Sequence, residues 1–355
     1  MKSLREGDEL KLNIPDVIKS EEELEAVLSE PYPETVAFME RIQGDIIILG
    51  ASGKMGVSLA HTIKRACKMA GVHKRIIAVD KIKNEKLEQP GIETISCDLL
   101  VPDEVARLPL ADNVIFMAGR KFGEIGSEDL TWMINTIVPY NVCRKFAGSR
   151  IVAFSTGCVY PLVSAASGGS NETDPPDPVG EYAASCLGRE RVFEYFSRNK
   201  NTPTLLFRLN YAIDLRYGVL LDIAQRIYND EPVDLSVSHA NVIWQGDAVN
   251  RAILSLDHAA IPPTVLNVTG GEILCVKDLA EQFADLLGKK VRFKGKDTGK
   301  AYLSNASRSI HLFGSPRVSV ARMVKWTSEW LKLGGPTLNK PTHFQVTDGQ
   351  FLDKK

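Results

Sequence analysis

Three glycines at a fixed step, Gly50-x-x-Gly53-x-x-Gly56, close the apolar run Asp45-Ile-Ile-Ile-Leu-Gly50. They open a stretch with helical apolar spacing through Leu59, Ile63 and Ala66. Strand, tight turn and helix in that order bring bare backbone to a helix N-terminus, where N–H groups and the helix dipole favour an anion such as a pyrophosphate. The step differs from G-x-G-x-x-G, so the turn alone is a weak sign. A second apolar run, Arg75-Ile-Ile-Ala-Val-Asp80, ends on an acid 24 positions beyond Gly56. A carboxylate there can accept hydrogen bonds from an adenosine ribose, so the pattern predicts a dinucleotide site of the NAD type. Gly50, Ser52, Gly53, Lys54, Met55 and Gly56 form its turn and Asp80 its ribose acceptor. Lys81 and Lys83 leave some use of NADP open, and a plain βαβ unit with a glycine turn is the competing reading.

Two further stretches could do chemistry. The run 150–155 ends in Ser155-Thr156, and a hydroxyl at the carboxyl end of a parallel strand can reach a ligand in the crevice. The alternative is a turn in which both residues satisfy backbone groups. Tyr182 opens a helical stretch, and the residue four later shares its face. A phenol exchanges protons near neutral pH only beside a positive charge. Position 186 holds a cysteine, and outside this context Tyr182 reads equally as a core or surface residue. On the substrate side, Arg216 could pair with a carboxylate or phosphate, or belong to a structural ion pair. Trp244, next to Gln245, could stack on a sugar face or fill a core.

The elements that must position these residues follow from patterning. Short apolar runs at 45–50, 75–80, 92–97, 113–118, 150–155 and 203–207 alternate with helical stretches at 55–70, 128–146 and 181–198. Runs apolar at successive positions suit strands covered on both faces. The alternation predicts an α/β fold, a doubly wound parallel (Rossmann) sheet over 44–209, with returns from about 240–270. Residues 210–355 form mainly a smaller C-terminal α/β substrate lobe, with a strand at 265–270, a helix at 276–288 and an extended tail. Residues 1–43 form a helical N-terminal extension with an acidic first turn after Ser20, for packing or oligomer contacts.

Bulk composition excludes several classes. The 355 residues carry 43 Lys and Arg against 44 Asp and Glu, a net charge of −1. That removes a whole-protein argument for nucleic acid or anionic membranes. No apolar run reaches membrane-span length, and Met1–Asp8 does not read as a signal peptide. The six cysteines show no C-x-x-C pair and no metal-ligand spacing with the six histidines. They read as small buried residues of a reducing compartment, the cytoplasm, with no metal.

The chain resembles the extended short-chain dehydrogenase/reductase superfamily, the NAD-dependent epimerase/dehydratase group. The matching pieces, in family order, are Gly50-x-x-Gly53-x-x-Gly56, Asp80, Cys97-Asp98-Leu99, Phe116-Met-Ala-Gly119, Asn135, Ser155-Thr156 with Val159-Tyr160, Glu172, Tyr182 with Ser185, Arg208, and Asn267-Val-Thr-Gly-Gly271. The resemblance implies that the glycines hold the pyrophosphate of NAD and Asp80 its adenosine ribose. It implies that Asp98 and Leu99 line the adenine, that Met117, Ala118 and Gly119 line the middle of the cofactor, and that Asn135 lies beside it. Thr156 would bind the reacting hydroxyl and Tyr182 would exchange its proton next to the nicotinamide. Lys121 matches a cofactor-contacting lysine of sugar epimerases. Asn210, Arg216, Trp244 and Gln245 fall on the substrate side.

Two positions depart from the pattern. Tyr-x-x-x-Lys reads Tyr182-x-x-x-Cys186, and Val-Tyr-Gly reads Val159-Tyr160-Pro161. The missing lysine would grip the nicotinamide ribose and lower the tyrosine pKa. A neutral thiol does neither. Lys121 and Arg189, seven residues beyond Tyr182, are the candidate replacement cations, and Cys186 is a packing residue or a redox-sensitive thiol. The implied function is an NAD-dependent oxidoreductase or epimerase/dehydratase acting on a carbohydrate, sugar acid or nucleotide sugar. The alternative is a non-catalytic NAD-binding sensor or scaffold. By analogy, helices 128–146 and 181–198 pair two copies into a homodimer.

Overall fold

A computed structural model describes residues 14–121 and 126–349. The expectation for Met1–Asp8 and the last residues of the tail lie outside them. Seven strands form one parallel sheet: β1 (Ile46–Leu49), β2 (Ile76–Asp80), β3 (Glu93–Ser96), β4 (Asn113–Phe116), β5 (Arg150–Thr156), β6 (Thr204–Leu209) and β11 (Thr264–Val268). Their order is β11-β6-β5-β4-β1-β2-β3. β1 pairs with β2 on one side (Ile46 with Ile76) and β4 on the other (Ile46 with Asn113). The strand order therefore reverses at β1, and a crevice opens at the carboxyl ends there.

The sheet is covered on both faces, as the continuous apolar runs of β1 and β4 require. One face packs Ile46, Ile48, Ile115 and Val152 against α2 (Pro33–Arg41), α3 (Gly56–Ala70) and α9 (Gln245–Leu254). The other packs Ile47, Leu49, Val114 and Ile151 against α4 (Pro102–Arg107), α6 (Val138–Lys145) and α7 (Gly180–Lys200).

The expected helix 128–146 is interrupted. α5 (Glu128–Trp132) passes through a π-helical turn, Met133–Ile137, before α6. Pro139 has no N–H to give the carbonyl of Asn135, so the hydrogen-bond ladder slips by one residue, and Val138 N–H donates to Met133 O instead.

The smaller lobe has a second core, in which α8 (Val219–Tyr228), α10 (Val276–Leu287) and α12 (Val320–Lys332) pack Leu220, Phe283 and Trp326 together. Three two-stranded ladders fringe it: β7 (Ala212–Ile213) with β10 (Ile243–Trp244), β8 (Val233–Asp234) with β13 (Phe293–Lys294), and β9 (His239–Ala240) with β12 (Leu274–Cys275).

The N-terminal extension joins the two cores. Leu24 and Leu28 of α1 (Glu21–Leu28) enter the smaller lobe's core, and Phe38 and Met39 of α2 enter the Rossmann core. Ser20 caps α1 by accepting from Glu23 N–H at 3.2 Å. The tail is anchored rather than loose: Thr342 donates from its backbone N–H to Asp222 Oδ2 at 2.8 Å, and Phe344 is buried. No helix among the described residues is long and apolar enough to cross a membrane.

Candidate functional site

The glycine turn sits at the strand-order reversal. Gly50 has φ +89°, and a Cβ there would lie 2.6 Å from Ala118 N, so the turn rests directly on the chain leaving β4. A Cβ on Gly56 would lie 2.4 Å from Ala51 O, which lets α3 start against its own turn. Gly53 differs, since a Cβ would meet only Gly50 O at 3.5 Å. Nothing among the described residues demands a glycine there, and the space over Gly53 is an open cradle. Met55 at the N-cap of α3 makes no side-chain cap, leaving that terminus to face the cradle.

Asp80 ends β2 beside this turn, where its Oδ2 accepts from Ser52 N–H at 2.9 Å. Ser52 Oγ donates to Ile82 O at 2.6 Å, so the serine ties the turn to the β2 loop. A groove of about 330 Å³ runs from Gly50 and Gly53 past Asp80, Asp98 and Leu99 to Met117, Ala118 and Gly119. Asp98 is held by Lys81 at 2.7 Å, and that hydrogen bond keeps its carboxyl below the usual range. The groove therefore combines an uncapped helix start, an acid and apolar walls, a donor set that fits a dinucleotide.

A second cavity, of about 200 Å³, lies on the other side of the turn between the sheet and the smaller lobe. Thr156, Tyr182, Lys121 and Asn210 line it together with Lys54 and Met55. Thr156 ends β5 with its Oγ1 accepting from Cys158 N–H at 3.1 Å. Lys121 Nζ lies 5.9 Å from the Tyr182 ring centroid and donates to Thr342 O at 3.4 Å. Asn210 Nδ2 donates to Asn241 Oδ1 at 2.9 Å.

Burial pushes the Tyr182 phenol well above its ordinary pKa, and the Cys186 and Cys158 thiols add to the rise while the Arg189 guanidinium opposes it. Burial also pushes the Cys186 thiol up, to about 11, again against Arg189. At neutral pH both groups hold their protons. Arg189 stands behind them, donating from Nη1 to Phe154 O at 3.0 Å and from Nη2 to Asn135 Oδ1. Gly119 makes room for that guanidinium, because a Cβ there would lie 2.4 Å from Nη2.

Asn135 is fully buried on the π-helical turn. Its Oδ1 accepts from Arg120 N–H at 3.0 Å and its Nδ2 donates to Ser185 Oγ at 2.9 Å. It braces the chain after β4 against α7 rather than lining the groove, and π-turns recur at such positions.

Three expected substrate residues lie elsewhere. Arg216 is spent on Asp214 (3.1 Å), Glu25 (2.7 Å) and Glu21 (3.3 Å), an ion cluster that fastens α1 to the smaller lobe. Trp244 is buried against Trp326, with ring centroids 5.2 Å apart, because β10 turns it into the smaller lobe's core. Gln245 is buried at the start of α9 and donates to Ser58 Oγ on α3 at 3.1 Å.

Sequence reasoning missed other wall residues: Cys158, Tyr211, Tyr217 and Thr342. Tyr211 adopts φ +43°, a conformation rare for a side chain of that size and often kept at functional sites. It also missed the frame underneath. Glu190 Oε1 and Oε2 accept from Arg208 Nε at 2.9 Å and Nη2 at 2.6 Å, and Arg208 Nη1 donates to the Tyr160 hydroxyl at 2.6 Å. Glu190 was findable, since eight residues beyond Tyr182 it shares the inward side of α7. Thr342 carries no local signal.

A doubly wound parallel sheet with a glycine turn at its switch point defines a Rossmann-fold protein. Residues 46–213, a little under half of the chain, match the model of the NAD dependent epimerase/dehydratase family. No curated protein matches the sequence. Among solved structures, the chain is similar to the UDP-glucose 4-epimerase of Thermus thermophilus in complex with NAD (18% identity, TM-score 0.66, covering 81% of this chain and 99% of that one). It is similar to the dTDP-glucose 4,6-dehydratase DesIV of Streptomyces venezuelae with NAD bound (18%, 0.68, 81% and 97%). An epimerase of Methanothermobacter thermautotrophicus matches at 18% identity and TM-score 0.69, over 85% of this chain and 96% of that one. At that identity the likeness establishes the fold.

Proposed function

We propose that the chain is an NAD-dependent oxidoreductase or epimerase/dehydratase acting on a carbohydrate-type substrate. The observation that carries this reading is the pairing of spaces around one turn. A groove that fits a dinucleotide lies on one side, and on the other a cavity holds the Thr156 hydroxyl and the Tyr182 phenol on one wall system. Gly50, Gly53, Gly56 and the start of α3 would hold the pyrophosphate, Asp80 the ribose, and Asp98, Leu99 and Met117 to Gly119 the rest. Bound there, NAD supplies a hydride acceptor.

Thr156 would hold the substrate hydroxyl, and Tyr182 would give or take its proton. Because Tyr182 keeps its proton at neutral pH, it serves at once as a donor to a forming alkoxide and becomes an acceptor only in alkaline solution. Arg189 behind it, and Lys121 over its ring, are the cations that favour the phenolate. Cys186 fills the space beside the phenol.

The reading extends to a homodimer. Trp132, Met133, Ile137 and Tyr140 on the α5–α6 segment and Tyr195 on α7 are apolar and exposed, as a helix face that pairs with a second copy would be. The test of function is reduced-nicotinamide absorbance with protein and NAD at stoichiometric levels, against sugars, aldonates, uronates and nucleotide sugars. A signal with any of them supports an enzyme. A blank panel with NAD binding intact removes it in favour of the sensor, a second reading that the raised Tyr182 pKa and the neutral Cys186 thiol support.

A further inference from the structure

Lys54 leaves the glycine turn toward the smaller lobe. Its ammonium donates to Ala212 O at 3.0 Å and stands 4.4 Å from the Tyr217 ring centroid. An ammonium has three N–H donors. The carbonyl takes one and the ring faces another, so one remains for a ligand in the cavity. Among the described residues Lys54 forms no ion pair. Asp214, whose charge acts on Lys54, is committed to Arg216, accepting from its backbone N–H at 2.7 Å and its Nη2 at 3.1 Å.

The cavity wall is one-sided in charge. Among the described residues it carries two lysines, Lys54 and Lys121, and no Asp or Glu, while the hydroxyls of Thr156, Tyr182, Tyr211 and Tyr217 supply neutral partners. The Lys54 ammonium facing this polar space raises its affinity for an anion. Its size sets a second limit. At about 200 Å³ it is below the roughly 300–1,000 Å³ usual for larger ligands, so it suits one small ring rather than a whole nucleotide sugar.

We infer that the substrate is a small anionic sugar, a sugar acid or a sugar phosphate, and that Lys54 holds its carboxylate or phosphate. The inference rests on the function proposed above, in which Thr156 and Tyr182 handle the reacting hydroxyl in the same cavity. Lys54 thereby selects the substrate from the loop that cradles the cofactor. Burial lowers its ammonium to about 8, with Asp214 opposing and Arg216 adding to the drop. The other titratable groups around it are Tyr217, Tyr211, Tyr182, Cys158 and Lys121. The phenols of Tyr182, Tyr211 and Tyr217 are all raised by burial, so they stay neutral where Lys54 titrates.

The test is calorimetric titration of the full chain, with and without NAD, using glucose, glucuronate, glucose 6-phosphate and UDP-glucose. Glucuronate or glucose 6-phosphate binds at least about tenfold more tightly than glucose or UDP-glucose, and the better of the two names the anion. Lys54→Met removes the preference and Lys54→Arg keeps it. Equal affinities, a preference for UDP-glucose, an unchanged preference in Lys54→Met, or no binding of any probe overturns the inference. If Lys54→Met does not fold, the natural chain serves: the preference falls as pH rises from about 7 to about 9.5, and a flat profile overturns it. Binding is read without turnover. Anion preference without any hydride transfer would therefore sink the proposed function and leave the anion site standing.

Discussion

The groove beside Asp80 and the cavity below Lys54 share a single turn, yet they are assembled in different ways. The groove is mostly backbone: a glycine at φ +89°, an open position at Gly53 and a helix start, with one exposed ion pair, Lys81–Asp98, on its rim. The cavity is mostly side chains, drawn from positions as far apart as Lys54, Tyr182 and Thr342. Beneath it lies a buried ion pair, Arg208–Glu190, with side-chain exposures of 4% and 0%. A backbone site tolerates change in its surroundings. A side-chain site depends on a frame that must itself be rigid.

The largest effect should come from that frame. Arg208→Met leaves the Glu190 carboxylate buried without its two guanidinium donors, with only the Ser155 hydroxyl still donating to it, which costs roughly 3–5 kcal/mol. A denaturant melt should show the loss directly. If Arg208→Met melts like the natural chain, the cavity does not rest on this pair, and the contrast with the groove fails.

Next in size is the phenol. Tyr182→Phe should lower turnover by roughly 10²–10⁴-fold, the range for a lost acid–base group, while NAD affinity measured by calorimetry stays within about twofold. Were affinity to collapse along with turnover, the two halves would not be separable. An unaltered rate would take Tyr182 out of the chemistry.

Cys186→Lys sharpens the contrast between the phenol here and one beside a cation. An ammonium one helical turn from Tyr182 favours the phenolate and lowers the phenol's pKa. Hydroxyl oxidation needs the phenolate, so the pH–rate profile in that direction should move toward acid. Carbonyl reduction uses the protonated phenol, so its alkaline limb should move the same way. The shift expected from one nearby charge is about 1–3 pH units. An unmoved profile would mean that Cys186 has no electrostatic hold on the reacting group.

The two halves also differ in how far the sequence discloses them. The glycine turn, Asp80 and the strand pattern are local signals, because backbone geometry and burial on both sheet faces write themselves into neighbouring residues. The bounds of all seven main-sheet strands and the turn were legible within a residue or two, but β11, read as part of the smaller lobe, pairs with β6 in the main sheet. The cavity was not. Arg216 and Trp244 each read two ways, as ligand residues or as an ion-pair and a core residue, until their partners, Glu25 and Trp326, arrive from the N-terminal extension and α12 and settle the second. Thr342 lines the cavity only because Asp222 holds the tail in place. Lys54 reads as part of a cofactor turn, and only the fold turns its side chain to the other side. The slip of the ladder at Pro139 was readable from a missing N–H, yet the brace it sets at Asn135 needed α7 in position.

Gly53 gives the smallest and cleanest measurement, since it tests the groove without touching the frame. An added methyl would meet only Gly50 O, at ordinary contact distance, so Gly53→Ala should leave the melting temperature unchanged. Gly50→Ala offers the control, because there the backbone is left-handed and a Cβ would crowd Ala118 N, so stability itself falls by about 1–3 kcal/mol. If a pyrophosphate lies in the cradle, the new methyl at 53 occupies its approach, and NAD affinity should fall about tenfold, near 1.4 kcal/mol. Stability held with affinity lost would locate the cofactor by its absence of room. Stability and affinity both held would leave the open space over Gly53 unexplained and move the pyrophosphate away from the turn.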